Sequence, residues 1–299
     1  MADVIPFDQR SGSLWYDGKL VPWTEAKTHV LTHGLHYGSC VFEGERIYGG
    51  TIYKLKEHTQ RLFKSAEVLG MKIPFTQDQI NAACIEAAQA QNIKDGYVRP
   101  VVYRGSEMMA VSAQNTKIHV AIAVWEWPSY FDPQEKLKGI RLDISTWKRP
   151  APDTAPTQAK AAGLYMICTL SKHAAESKGY ADAMMLDYRG YVAEATGANI
   201  FFVKDGSLHT PIADCFLNGI TRQSVIAIAK AHQIPVIERH ILPDELTQFG
   251  ECFITGSAAE VTPVSEIGPY RFKPGKITET LMNAYADEVR GAKVSAAYG

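Results

Sequence analysis

The sequence predicts an α+β protein of two domains, with mixed sheets packed by helices. Strand-like and helix-like segments alternate irregularly, and several neighbouring strands are joined by short turns. A proline-rich stretch without apolar period, WKRPAPDTAPTQAK (147–160), separates two halves. The GxGxxG of a doubly wound dinucleotide-binding sheet is absent. The expected division is a small N-terminal domain over 1–147, a linker over 148–160 ending at Lys160, and a larger C-terminal domain over 161–299.

Taken in order, SLWYDGKLVPW reads as a β-hairpin, with aromatic and aliphatic residues flanking Asp17-Gly18. A helix is expected over 56–69, where Leu62, Phe63, Ala66 and Leu69 recur at helical spacing. Thr76 is placed to cap a second helix carrying Ile80, Ala83, Cys84, Ala87 and Ala88. Strand-like runs follow at 97–103, 118–127 and 140–147. Beyond the linker come a helix over 165–177, a hairpin around Arg189-Gly190 and strands in NIFFVKDGSLHTP. A helix over 221–232, the strand ECFIT and a last helix over 277–290 complete the pattern.

Composition narrows the function classes. Lys+Arg 31 against Asp+Glu 32 gives a net charge of -1, without the basic excess usual in nucleic-acid binders. No apolar run approaches the roughly 20 residues that span a bilayer, and MADVIPFDQR lacks the apolar region of a signal peptide. The five cysteines are scattered, without a CxxC pair, so neither a metal site nor a disulfide framework is expected. The cytoplasm is the expected compartment.

Four segments carry candidate chemistry. Lys160 lies in PTQAKAAGLYM, where small neighbours let a bulky ring approach the backbone and Tyr165 offers a phenol. A lysine amine becomes a useful nucleophile when burial or a nearby cation lowers its pKa. Glu194 sits at a strand-turn-strand passage, AEATGANIFF, with Asn199 nearby to hold its carboxylate. Gly219, Ile220 and Thr221 open a well-patterned helix, whose backbone N–H groups suit a phosphate. Gly256, Ser257 and Ala258 follow the strand ECFIT, and Arg61 can add a guanidinium fork. Lysine, a carboxylate for a pyridine nitrogen and phosphate donors together suit pyridoxal 5'-phosphate (PLP). Taken singly, each residue also reads as a solvated surface group or an ordinary helix cap.

The segments YGSCVFEGERIY, KEHTQRL, YVRP, PTQAKAAGLY, AEATGANIFFV, NGITR and ITGSAAEVTPV occur in order between about Trp15 and Ile267. This pattern resembles the class IV (fold-type IV) PLP-dependent aminotransferases, most of all the branched-chain amino acid aminotransferases. The resemblance implies that Lys160 holds PLP covalently and carries the proton between the substrate Cα and the cofactor. It implies that Glu194 binds the ring nitrogen and Tyr165 the ring hydroxyl. Arg61, Ile220, Thr221 and Ser257 are then the phosphate ligands. A homodimer with the active site near its interface is also implied.

The Tyr97-Val98-Arg99 triplet resembles the branched-chain signature. One pocket must accept both an apolar side chain and the γ-carboxylate of glutamate, and an arginine at its rim satisfies both demands. Arg99 is the candidate, with Tyr37 and Tyr130 as hydroxyl partners. Phe42, Tyr97, Trp127 and Val111 are the candidate apolar wall, some of it contributed by another subunit. Backbone N–H groups of Ser257 and Ala258 are assigned to the α-carboxylate. The expected reaction transfers the amine of Leu, Ile or Val to 2-oxoglutarate in ping-pong order. Three departures from the family pattern stand out: Glu45 at a commonly aliphatic position, Met108 and Met109 in RGSEMMAV, and Asn218 in place of proline. Glu45 and the methionines bear on substrate choice, and Asn218 on how rigidly the phosphate turn is held. The loop over 106–110 keeps open a D-amino-acid or (R)-amine transaminase on the same fold; an aminodeoxychorismate-type lyase is a further alternative.

Overall fold

The computed structural model of the protein describes residues 5–127 and 137–291. The chain divides into two units. One comprises Met1–Pro128 with Ala159–Gly163, and the other Ser129–Gln158 with Leu164–Gly299. The proline-rich stretch is thus shared: residues up to 158 count with the second unit, while Ala159 and Lys160 count with the first.

The first unit begins with β1 (Ser13–Tyr16) and β2 (Lys19–Pro22). Asp17 and Gly18 join them with φ of 45° and 101°, the left-handed pair that a two-residue hairpin requires. Then come α1 (His33–Tyr37), β3 (Cys40–Phe42), β4 (Glu45–Tyr48), β5 (Thr51–Ile52), α2 (Leu55–Val68) and α3 (Gln77–Ala90). The long strands β6 (Gly96–Arg104) and β7 (Ile118–Glu126) complete an antiparallel sheet of order β2-β1-β7-β6-β4-β5, with β3 also on β6.

β3 and β4 run along the same side of β6 and are interrupted at Glu43-Gly44. Pro100 lies opposite the break: its carbonyl accepts from the Glu43 N–H at 2.9 Å, and it has no N–H to return. Val120, Ile122 and Val124 alternate along β7, all fully buried. α3 packs against β7 and places Ile80, Ala83, Cys84 and Ala87 in the same core. Thr76 closes a capping box with Gln79: its hydroxyl accepts from the Gln79 N–H, and the Gln79 side chain accepts from the Thr76 N–H.

The second unit contains β8 (Ile140–Ile144), α4 (Met166–Ser177), β9 (Asp182–Leu186), β10 (Val192–Ala195), β11 (Asn199–Lys204) and β12 (Ser207–Thr210). It continues with α5 (Ile220–Ala231), β13 (Val236–Glu238), β14 (Glu251–Gly256), β15 (Glu260–Ile267), β16 (Tyr270–Arg271) and α6 (Lys276–Val289). Its sheet runs β10-β9-β8-β15-β14-β11-β12-β13, and a further pairing of β10 with β11 closes six strands into a ring. That closing pair is Glu194 with Asn199. Leu142, Met184, Val192, Ile200, Ile254 and Val264, one from each of the six strands, form one buried cluster. Phe201 stacks on Phe253 with centroids 5.0 Å apart, while α5 and α6 pack against β14. Among the described residues no helix is long and apolar enough to cross a membrane.

Thr76→Ala removes one half of the capping box and is expected to cost about 1 kcal/mol. A fall in the urea midpoint with unchanged slope is the expected reading; an unaltered midpoint would show that α3 does not depend on its cap.

Candidate active site

Lys160 is fixed through its backbone. Its N–H donates to Ser65 Oγ of α2 at 2.9 Å, and its carbonyl accepts from the Phe42 N–H at 3.1 Å. The side chain is half-buried, with Nζ 4.9 Å from the centre of the Phe42 ring. The same ring carries the Arg99 guanidinium at 4.8 Å. Arg99 donates from Nη2 to the Tyr97 hydroxyl at 3.3 Å, and the Tyr97 ring packs on Trp127 with centroids 5.4 Å apart. Lys160, Phe42, Arg99, Tyr97 and Trp127 therefore form one continuous group, two cations lined by three aromatic rings. Gly44 belongs to this arrangement, because a Cβ there would overlap the Tyr97 hydroxyl.

Arg61 projects from α2 onto Glu43 in a bidentate fork, Nε to Oε1 at 2.7 Å and Nη2 to Oε2 at 2.8 Å. His58, one turn earlier on the helix, places Nδ1 2.7 Å from Glu43 Oε2. Burial alone would raise the Glu43 carboxyl, but the Arg61 charge and the hydrogen bonds from Arg61 and His58 outweigh it. The carboxyl is held well below the usual carboxylate range. Burial also pushes His58 down, against the pull of Glu43, so its ring is neutral and Nδ1–H donates to the acceptor-only carboxylate.

Tyr37 and Val111 lie at the surface. Tyr37 is 48% exposed and stacks on His33, whose Nε2 lies 2.9 Å from the Ala110 carbonyl oxygen. Val111 is 85% exposed. Tyr130 lies outside the described residues.

In the second unit, Glu194 is buried and held on both oxygens. Arg149 Nε lies 3.3 Å from Oε1, and Asn199 donates from Nδ2 to Oε2 at 3.2 Å. Asn199 also donates to the Leu217 carbonyl at 3.0 Å and accepts from the Gly219 N–H at 3.2 Å. One amide therefore ties the carboxylate to the start of α5. That helix begins at Ile220 without a side-chain cap from Gly219; Asn218 instead accepts from Arg222 Nη1 at 2.8 Å. The Gly219 N–H is taken by Asn199, and Gly219 itself has no side chain with which to cap the N–H groups that follow. Tyr165 ends a short helical turn, and with Gly197, Ala198 and Ala258 it borders a cavity of about 560 Å³. Ser257 and Ala258 occupy the turn joining β14 to β15.

Sequence patterns did not point to Glu43, His58 or Arg149. Glu43 and His58 were visible only as parts of FEG and KEHTQRL, and Arg149 stood in the proline-rich stretch. Arg149 is 4% exposed, and its pKa is raised: burial is the largest single influence and opposes the charged form, but Glu194, together with Cys168, Tyr165 and Cys215, outweighs it. Glu45 is the opposite case. It is fully buried on β4, and neither carboxyl oxygen has a hydrogen-bond partner among the described residues.

Residues 40–267 match the family Amino-transferase class IV. The branched-chain-amino-acid aminotransferase of Pseudomonas aeruginosa is 44% identical over 289 residues, covering 94% of each chain. That of Escherichia coli K12 is 35% identical over 286 residues, covering 93% of each. Among solved structures, the branched-chain aminotransferase of the thermophilic archaeon Thermoproteus uzoniensis with norvaline superposes with a TM-score of 0.91 at 36% identity. The match covers 95% of this chain and 97% of that one. The chain belongs to the class IV amino-transferases.

Burial, with the nearby Glu43 charge, holds the Glu45 carboxyl well above its ordinary value, although Arg61 opposes this. The folded protein then binds a proton that the unfolded chain releases near pH ~4.3, so this contribution to stability is full below that pH. It is lost as pH rises toward the folded-state value. Glu45→Leu is expected to stabilise by about 1–3 kcal/mol near neutral pH, and by less near pH ~5. Denaturant unfolding at both pH values checks this; a gain that shrinks as pH rises would contradict it.

Proposed function

We propose that the chain is a PLP-dependent aminotransferase that moves the amine of L-leucine, L-isoleucine or L-valine to 2-oxoglutarate, giving the 2-oxo acid and L-glutamate. The observation that carries the substrate reading is the group formed by Lys160, Phe42, Arg99, Tyr97 and Trp127. Its rings suit a branched aliphatic side chain, and the guanidinium among them suits a second carboxylate. The named relatives support the same reading. So do solved branched-chain amino acid aminotransferases, 38% identical to this chain, that carry N-(5'-phosphopyridoxyl)-L-glutamate and 4-methylvaleric acid.

The residues present fit PLP chemically. Glu194 is a buried carboxylate held by Arg149 and Asn199, and α5 opens on backbone donors without a side-chain cap. When bound, PLP supplies an electron sink for the bond broken at the substrate Cα. Lys160 is assigned as its covalent anchor and as the group that takes and returns the Cα proton. Glu194 is assigned to the ring nitrogen, with Asn199 holding the carboxylate in line; Tyr165 is assigned to the ring hydroxyl. Arg61, Ile220, Thr221 and Ser257 are assigned to the phosphate, with Gly219 leaving the helix start open. Backbone N–H groups of Ser257 and Ala258 are assigned to the substrate α-carboxylate.

The enzyme is proposed to act as a homodimer in the cytoplasm. The exposed side chains of Val30, Leu31, Leu35, Tyr37, Met109 and Val111 support association. The His33–Ala110 contact ties their two segments together. Tyr37 and Val111 are then the residues through which one subunit completes the pocket of another, with Tyr130 as a further hydroxyl.

A substrate panel tests the reading. L-leucine is expected to react and D-alanine or an (R)-amine not; the reverse would assign the chain to the D-amino-acid or (R)-amine branch. Pyruvate released without an amino acceptor would assign it to the lyases. Arg99→Ala is expected to lower kcat/KM for 2-oxoglutarate by about tenfold to hundredfold, as befits a lost charge-assisted hydrogen bond, and to spare L-leucine. Equal losses for both substrates would remove Arg99 from carboxylate recognition.

A further inference from the structure

We propose that Glu43, with His58, is the positioning residue that fixes the Arg61 guanidinium for the phosphate of the cofactor. This rests on the assignment of Arg61 to that phosphate.

The geometry is that of a built anchor. Glu43 is fully buried at the break between β3 and β4, while the Arg61 side chain keeps 19% exposure. Any outward-facing part of the pair therefore belongs to the arginine. The carboxylate receives Arg61 Nε and Nη2, His58 Nδ1 and, at 3.3 Å, the Gly44 N–H. His58 and Arg61 stand three residues apart on α2 and so share one helix face. The Glu43 N–H donates to the Pro100 carbonyl at 2.9 Å, which holds the Glu43 backbone at the strand break.

Two physical points favour a positioning role over plain stabilisation. A buried ion pair contributes little beyond what packed apolar residues of equal volume contribute, so stability alone is a poor account of it. An arginine side chain also carries substantial rotamer entropy. A fork onto a fixed carboxylate removes that freedom before an anion arrives, which improves binding by preorganisation. With His58 neutral, Glu43 and Arg61 balance each other's charge inside the fold. The Lys160 N–H donates to Ser65 Oγ at 2.9 Å on the same helix, so the anchor and the residue assigned to hold the cofactor share α2 as their support.

The test compares apoenzyme affinity for PLP with that for pyridoxal, which lacks the phosphate. Glu43→Gln is expected to weaken PLP by about tenfold while leaving pyridoxal unchanged. Arg61→Ala is expected to weaken PLP at least as much, and the double variant no more than Arg61→Ala alone. Normal PLP affinity in Arg61→Ala would overturn the phosphate assignment itself. A loss in Arg61→Ala without a loss in Glu43→Gln would overturn the positioning role alone, as would equal losses for PLP and pyridoxal. Should Glu43→Gln fail to fold, the wild-type holoenzyme decides in a crystal structure. The fork is expected to persist beside the phosphate, and an Arg61 turned away from Glu43 overturns the proposal.

Discussion

A charge taken out of water must be paired, and in each unit of this protein an arginine and a glutamate meet that demand. In the first unit Arg61 forks onto the buried Glu43. In the second, Arg149 lies beside Glu194 at the bridge that closes six strands into a ring. Each pair lets ionised groups persist within an apolar fold, and each lies among the residues assigned to the cofactor. Asn199 extends the second pair to the start of α5, so carboxylate, strand closure and helix opening share one side chain. Chemical groups held this way need little rearrangement when a charged ligand arrives.

Glu45 departs from that rule, and its departure clarifies the others. It is two residues from Glu43 and pairs across to Val98 in β6. Without hydrogen-bond partners among the described residues, its carboxyl, raised well above its ordinary value, avoids the larger cost of a buried charge by holding its proton, while the cost of an unpaired polar group remains. The Arg61 charge remains committed to Glu43. β4 therefore carries a buried acid whose expected effect is on stability.

Much of the framework was legible because it rests on local chemistry. The Asp17-Gly18 turn, the Thr76 cap and the opening of α5 at Gly219-Ile220 each follow from backbone geometry within a few residues. Short strands such as β3, β5 and β13 escaped because three residues or fewer carry no period. The 140–147 run proved shorter than its apolar pattern, since β8 ends at Ile144. Individual site residues were legible as types, and their supports were not. Arg149 looked like one charge in a proline-rich stretch, and Glu43 like one letter of a motif. Their partners are set by strand register and helix packing, which no local pattern encodes. The aromatic group around Arg99 lay between these extremes: resemblance to the branched-chain signature picked out Tyr97 and Arg99, but the Phe42 ring joining Arg99 to Lys160 needed the tertiary fold.

Every role assigned around the cofactor depends on Lys160 as the residue that holds it. Sodium borohydride treatment of the purified enzyme, followed by mass spectrometry of its peptides, tests this directly. A phosphopyridoxyl group on the peptide containing Lys160, and on no other lysine, is the predicted result. A modified lysine elsewhere, or none after incubation with PLP, would contradict it.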